Sequence, residues 1–408
     1  MRFDWYTFMD GFTDGVHRFL TEGSMRSLCI RPWSLSISMV LVIASMQAVS
    51  AQEPIKLGVV GPHSGPALGG QSTLMGAQVA AEEINTAGGL LGGRKIEIVA
   101  ADSRGIPAES ARAFHKLVTQ DKVVAVVCCW FSASTIATLP AIEELKIPTT
   151  TGVAYLPDAK ETKLTYLFKF AATPRLESRF ADYWVKKLNV KKVAFLARDD
   201  TWGRATANAL QDRLRELGGT VLSLDFHPPD EQNFHSYLTK IKALDPEGVC
   251  IVDISGDAAN QVKQIAELGI KTTVLGTGGL NTNAFIKLAG KAAEGIPLVI
   301  RYSATLDTPR NKQFVTAFKA HQGGEEPDQF AQAGYDSIYL HAEAITRAGS
   351  TDPAKVREAL ARSDYVGVAG NPIRFDERNQ ATPKLYVAVI KGGQRVIVEN
   401  VDTTGVPY

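Results

Sequence analysis

"IKLGVVGPHSGPALGGQSTLMGAQVAAEEINTAGGLLGGRKIEIVAAD", residues 55–102, is the stretch that decides the fold class. Ile55 to Val60 is a short apolar run with little alternation, the pattern of a strand covered on both faces. The turn-rich "GPHSGPALGG" at 61–70 ends it. Leu74, Val79 and Ile84 then recur at helical spacing and predict a helix over 72–85. "AGGLLGG" at 87–93 stops that helix, because glycine accepts the left-handed cap, and "KIEIVAAD" at 95–102 is a second strand. Strand, helix, strand is the signature of a parallel sheet wrapped by helices on both faces.

The pattern runs on through a helix over 107–120 and a strand "VVAVVCCW" at 123–130, and then begins again. "KKVAFLARDD" at 191–200 is a strand ending in acids. A helix over 203–217 stops at Gly218-Gly219, and "TVLSLDF" at 220–226 follows. A helix over 233–243, the strand "GVCIVDIS" at 248–255, a helix over 257–268 and the strand "KTTVLGTGG" at 271–279 complete the second series. Two similar α/β domains are expected. The boundary falls near "FKFAATPR" at 168–175, where a proline interrupts the pattern. A last long helix over 329–348 precedes "KLYVAVI" and "QRVIVEN", which read as a hairpin turning at Gly392-Gly393.

Bulk composition sets limits. The 408 residues are 45% hydrophobic and 21% charged with a formal net charge of +1, enough chain for two domains and no basic excess for a nucleic-acid groove or membrane surface. At the N-terminus, Met25, Arg26 and Arg31 precede an apolar run from Leu35 to Met46, and Ala48-Val49-Ser50-Ala51 offers small residues to a signal peptidase. Residues 1–51 therefore read as a secretory signal peptide, with 1–24 as a spurious extension and Gln52 as the first mature residue, so the periplasm is the expected location. Cys128 and Cys129 sit side by side in an apolar strand and read as buried thiols rather than a structural bridge.

In open α/β sheets ligands bind beyond the carboxyl ends of the strands. The stretches to inspect are therefore Gly61 to Ser64, Ser132 to Thr135, Thr149 to Tyr155, Asp199 to Trp202, Asp253 to Asp257 and Gly276 to Asn281. Ser132 and Ser134 fall at the start of a helix, where a hydroxyl and free N–H groups together favour an anion such as a carboxylate. Trp202 and Tyr155 follow strands and are candidates to pack on an apolar ligand body. "GTGGLN" at 276–281 is not a dinucleotide loop, and there is neither a Walker loop nor a G-x-S-x-G elbow. His227 and His235 in "HPPDEQNFH" lack zinc spacing and read as surface histidines. No cofactor and no metal are expected, and no nucleophile with a base stands out for a hydrolase.

The stretch 55–102, together with "ASTIATLPAIEELKIPTTTG" (133–152), "RDDTWGR" (198–204), "LGTGGLN" (275–281), "AAEGI" (292–296) and "QAGYDSIYLHAEAI" (332–345), resembles the leucine/isoleucine/valine-type periplasmic binding proteins. These are the receptors of branched-chain amino acid ABC importers. The resemblance implies a type I periplasmic binding fold, two doubly wound domains closing on a ligand. It assigns 53–173 plus 303–381 to one domain and 174–302 plus 382–408 to the other. It implies permease and ATPase partners, a monomer and no enzymatic activity. It places ligand contacts at Ser132, at the backbone of Val153, at Tyr155 and at Trp202, with Tyr335 packing on the ligand's apolar body. Leucine-type members carry an acid where this chain has Gly278. Either Asp199, Asp200 or Asp253 replaces it, or the ligand has no ammonium. The expected ligand is a small amino acid or related carboxylate. The alternatives are a periplasmic sensor of the same fold and a receptor for amide, urea-type or aromatic carboxylate solutes.

Overall fold

A computed structural model describes residues 52–64, 69–156 and 164–406, and the expected signal peptide at 1–51 lies outside them. The first series of strands makes a five-stranded parallel sheet in the order β2-β1-β3-β4-β5. Its strands are β1 (Ile55–Gly61), β2 (Ile96–Asp102), β3 (Ala125–Val127), β4 (Thr149–Thr151) and β5 (Leu167–Lys169). The second is a seven-stranded sheet in the order β14-β13-β10-β9-β8-β6-β7. There β6 (Lys192–Arg198), β7 (Thr220–His227), β8 (Gly248–Val252), β9 (Thr273–Gly276) and β10 (Pro297–Ile300) run parallel. β13 (Tyr386–Lys391) and β14 (Gln394–Asn400) add the expected antiparallel hairpin, with Gly392 and Gly393 both at positive φ (57° and 73°) in its two-residue turn. A short ladder of β11 (Tyr365–Val366) and β12 (Pro372–Ile373) stands apart.

Alternate residues of each sheet feed two helical layers. Leu57 and Val59 meet Ala77, Ala80 and Ile84 of α1 (Gly69–Thr86) on one face of the first sheet. Val60 and Val126 meet Phe114 and Leu117 of α2 (Pro107–Thr119) and Ile142 of α3 (Ser132–Leu145) on the other. In the second sheet Phe195 and Cys250 pack toward α4 (Pro174–Ser178), α5 (Phe180–Lys186) and α6 (Thr201–Glu216). Leu196 and Ile251 pack toward α8 (Ser255–Glu267) and α9 (Asn283–Ala289), and α7 (His235–Ala243) closes that layer. This two-sided burial explains the unbroken apolar strands.

After β10 the chain returns to the first sheet as α10 (Pro309–His321), α11 (Gln329–Ala348) and α12 (Pro353–Ala361). It therefore passes between the two sheets after β5, after β10 and after β12. Helices α1 and α11 cross backbone to backbone. A Cβ on Gly76 would run into the Ala331 carbonyl, and one on Gly334 into that of Thr73.

Three local expectations need correction. The strand predicted over 123–130 is short, because Cys128 to Trp130 leave the ladder as irregular chain. Thr149 to Thr151 do not stand at a strand mouth but are β4 itself, fully buried, with hydroxyls engaged by Ile147 O, by His341 Nε2 and by the Ala154 N–H. Cys128 and Cys129 are joined as a vicinal disulfide, which their adjacency permits without spanning the fold, and Cys250 remains a buried free thiol.

Candidate functional site

The carboxyl ends of both parallel sheets open on one cleft of about 420 Å³. From the first sheet come Trp130 to Ala133 at the entry to α3, Val153 beyond β4, and Gln329 and Phe330 at the start of α11. From the second come Arg198 at the end of β6 with Asp200 to Trp202 beyond it, Ile254 to Asp257 beyond β8, Gly278 and Gly279 beyond β9, and Arg301 beyond β10. The floor of the cleft is thus the set of strand ends that this sheet class reserves for ligands.

Phe131 precedes α3 with φ −81° and ψ 143° and brings no side-chain acceptor, so the first N–H groups of the helix are uncapped beside the cleft. Ser132 lines the cleft there, and its Oγ accepts from the Tyr155 N–H at 3.1 Å. That bond occupies a lone pair and leaves the hydroxyl proton to donate. Uncapped N–H groups, the positive end of a helix and a free O–H donor together suit a carboxylate. Across the cleft α8 also begins without a side-chain cap, at Ile254. Aromatic rings give the cleft its apolar wall. Trp130 lies edge-on to Phe131 (4.7 Å) and to Phe330 (5.0 Å). Trp202 covers Gly279, where a Cβ would come within 2.8 Å of the indole.

The buried charges that line the cleft are tied down, with two exceptions. Arg198 is buried and donates from Nε to Asp200 (2.8 Å) and from Nη1 to Asp257 (3.1 Å). Asp200 also caps α6 by accepting from the Gly203 N–H. Burial, with Asp253 nearby, pushes Asp257 up to about 6. The exceptions are Glu177 on α4 and Arg301, both in the cleft wall, for Oε2 of the one and Nε and Nη2 of the other are buried without a partner among the described residues. Burial pushes Glu177 up to about 7 against the pull of Arg301, and lowers Arg301 to about 10.

The structure sorts the residues expected from sequence. Ser132, Val153, Trp202 and Gly278 line the cleft together, as does Asp200. Ser134 points away, its hydroxyl turned to Gly105 O at 3.5 Å. Tyr155 meets Ser132 through its backbone, and its ring is not part of the cleft wall. Asp253 is fully buried beneath the floor, with its oxygens taken by Gln261 Nε2, by His227 Nε2 at 2.9 Å and by the Ile254 N–H. Asp199 faces solvent and pairs with Arg204. Tyr335 belongs to the first core, where its ring packs tilted against Phe314 and its hydroxyl donates to Glu83, so it does not reach the cleft. His227 is likewise no surface histidine but the fully buried end of β7, while His235 is exposed. Sequence reasoning missed Trp130, Phe131, Phe330, Arg198, Glu177 and Arg301. The strand-end rule covers Trp130, Phe131, Arg198 and Arg301, which directly follow or end apolar runs; nothing comparable marks Glu177.

Two doubly wound halves around a cleft of strand ends define a type I periplasmic binding fold. The chain belongs to the periplasmic binding protein family, whose model matches residues 54–394. It is 32% identical over 353 residues to an amino acid binding protein of Pseudomonas aeruginosa, covering 85% of this chain and 93% of that one. It also superposes on the leucine binding protein LivK of Thermotoga maritima (TM-score 0.78, 26% identity, 86% of this chain and 99% of that one). A third match is the branched-chain amino acid transporter substrate binding protein LivJ of Streptococcus pneumoniae in complex with isoleucine (TM-score 0.78, 28% identity, 85% and 100%). The family is periplasmic, and no helix among the described residues is long and apolar enough to cross a membrane.

Proposed function

We propose that this chain is the solute-binding subunit of an ABC importer, taking a small amino acid or related carboxylate into its cleft as the two halves close. The observation that carries this reading is the uncapped start of α3 with the Ser132 hydroxyl, opposite Trp202 and the strand ends of the second sheet. The names of the relatives support the ligand class. In this reading the ligand carboxylate lies on Ser132 and the first N–H groups of α3, the Val153 backbone flanks it, and Trp202 and Trp130 cover the apolar body. The closing units are 53–173 plus 303–381 and 174–302 plus 382–408. The three passages between the sheets support that division. Export would proceed through residues 1–51, with Gln52 as the mature start, and a permease and an ATPase would take delivery. Mass spectrometry of small molecules released from protein purified without refolding tests the ligand class. A released solute with no carboxylate would remove the carboxylate site from α3.

A further inference from the structure

The cleft holds one carboxylate and one guanidinium that the protein leaves uncommitted. Glu177 comes from α4, the first helix after the chain crosses to the second sheet, and Arg301 follows β10, just before it crosses back. They are neighbours in the cleft wall, yet neither forms a hydrogen bond or ion pair with the other or with any other side chain among the described residues. The other buried charges in this wall are engaged, since Arg198 serves Asp200 and Asp257; Asp230, also in the wall, is exposed to water. Gly278 makes the room. Its missing side chain leaves space into which Glu177 reaches, with Oε1 2.9 Å from where a Cβ would stand. The backbone there is neutral and already fixed, since Gly278 O accepts from Gln329.

We infer that Glu177 and Arg301 form a charge clamp for a zwitterionic head group, with Glu177 receiving the ammonium of an α-amino acid. This deepens the proposed function and rests on it. Charge balance decides among ligand classes. A zwitterion set against the pair leaves each charge with an opposite neighbour. A carboxylate alone would serve Arg301 and α3 but would force Glu177 to keep its proton, because an ionised Glu177 facing an anion in a closed cleft is penalised heavily. A neutral amide can hydrogen-bond both, N–H to Glu177 and carbonyl from Arg301, but brings neither of them an opposite charge. The charged group facing Glu177 is Arg301, on which Asp328 acts from the start of α11, and the uncharged Gly278 lies beside it. Since burial holds Glu177 up near 7, ammonium binding must drive off its proton, while carboxylate binding must retain it.

The test measures binding by calorimetry for leucine, phenylalanine and glutamate against 4-methylpentanoate, 3-phenylpropanoate and glutarate. The wild type should prefer at least one amino acid to its deaminated partner by more than tenfold. Glu177→Gln should remove that preference without weakening the deaminated acid more than threefold. Adding Gly278→Glu to Glu177→Gln should restore it, because the new carboxylate starts beside the lost one. On the wild type alone, calorimetry in buffers of different ionisation enthalpy should show proton release with the amino acid, a readout that survives if Glu177→Gln does not fold. Amino-acid preference unchanged in Glu177→Gln overturns the clamp and leaves the proposed function standing. Preference of the wild type for the deaminated acid, or proton uptake with the amino acid, also overturns it. Binding of neither member of any pair overturns both readings.

Discussion

Glu177→Gln should make the unliganded protein more stable, and only above a defined pH. In the folded state burial holds the Glu177 carboxyl up to about 7, against 4.5 when exposed. The folded protein therefore holds this proton more tightly than the unfolded chain does between those values. Stability from this group is highest below about pH 4.5 and is lost as pH rises toward about 7, because ionising the side chain in place is costly. The shift of about 2.5 units corresponds to about 3 kcal/mol at 1.36 kcal/mol per unit. Glu177 is only partly buried, and residual hydration brings the expected gain down to about 1–3 kcal/mol. Glutamine keeps the shape and removes the ionisation. Urea unfolding of both proteins without ligand, at pH 4.5 and at pH 8, reads the effect as a difference in which Asp257 and every other shared titration cancels. The variant should match the wild type at the lower pH and exceed it at the higher. A difference that does not change with pH, or a wild type that is more stable at pH 8, would refute the reasoning and mean that Arg301 fully compensates Glu177.

Ser132→Ala should weaken ligand binding by about 1–3 kcal/mol, the scale for a hydrogen bond to a charged group, when titrated by calorimetry. It should also lower the melting temperature without ligand, because the Tyr155 N–H loses its acceptor; unchanged affinity would take Ser132 out of the site. Arg198→Met should cost about 3–5 kcal/mol in urea unfolding at pH 7 by stranding Asp257 and Asp200. The loss should shrink at pH 5, where Asp257, already pushed up to about 6, is protonated. Gly334→Ala should destabilise by about 3 kcal/mol or more, since its Cβ would collide with the Thr73 carbonyl where α1 and α11 touch; a melting temperature equal to the wild type would show that the helices can part freely.

The fold was legible because its grammar is local. β1, α1 and β2 follow from one apolar run, one helical periodicity and one glycine-rich stop, and α11 was read at its observed bounds of 329 and 348. The errors arose where tertiary context overrides local pattern. The run through Val123 to Trp130 is apolar throughout, yet only Ala125 to Val127 pair with β1, and only Val126 and Val127 pair with β4 as well. Thr149 to Thr151 looked like exposed hydroxyls, but β-branched residues suit a strand, and a buried threonine needs only one acceptor nearby. The crossings between the sheets leave no periodic trace, for they are set by which core accepts the next helix.

The site divides along the same line. The strand-end rule finds groups that project directly from the sheet, so Ser132, Trp202 and Gly278 could be named from the sequence. It fails in both directions for residues one layer removed. Asp253 follows β8 directly, but its carboxylate turns down to His227 and Gln261, where it anchors the strand ends instead of meeting solute. Tyr335 lies on the long helix that opens at the cleft with Gln329 and Phe330, and one further turn and a half carries it into the core. Glu177 is the reverse case: it lies just past the proline that reads as a domain boundary, and the missing side chain at Gly278, about a hundred residues further along, leaves room for that carboxylate in the cleft. An acid missing from one position of a binding site is therefore to be sought in space around the vacated volume. The restoring pair of substitutions, Glu177→Gln with Gly278→Glu, asks that question of the protein directly.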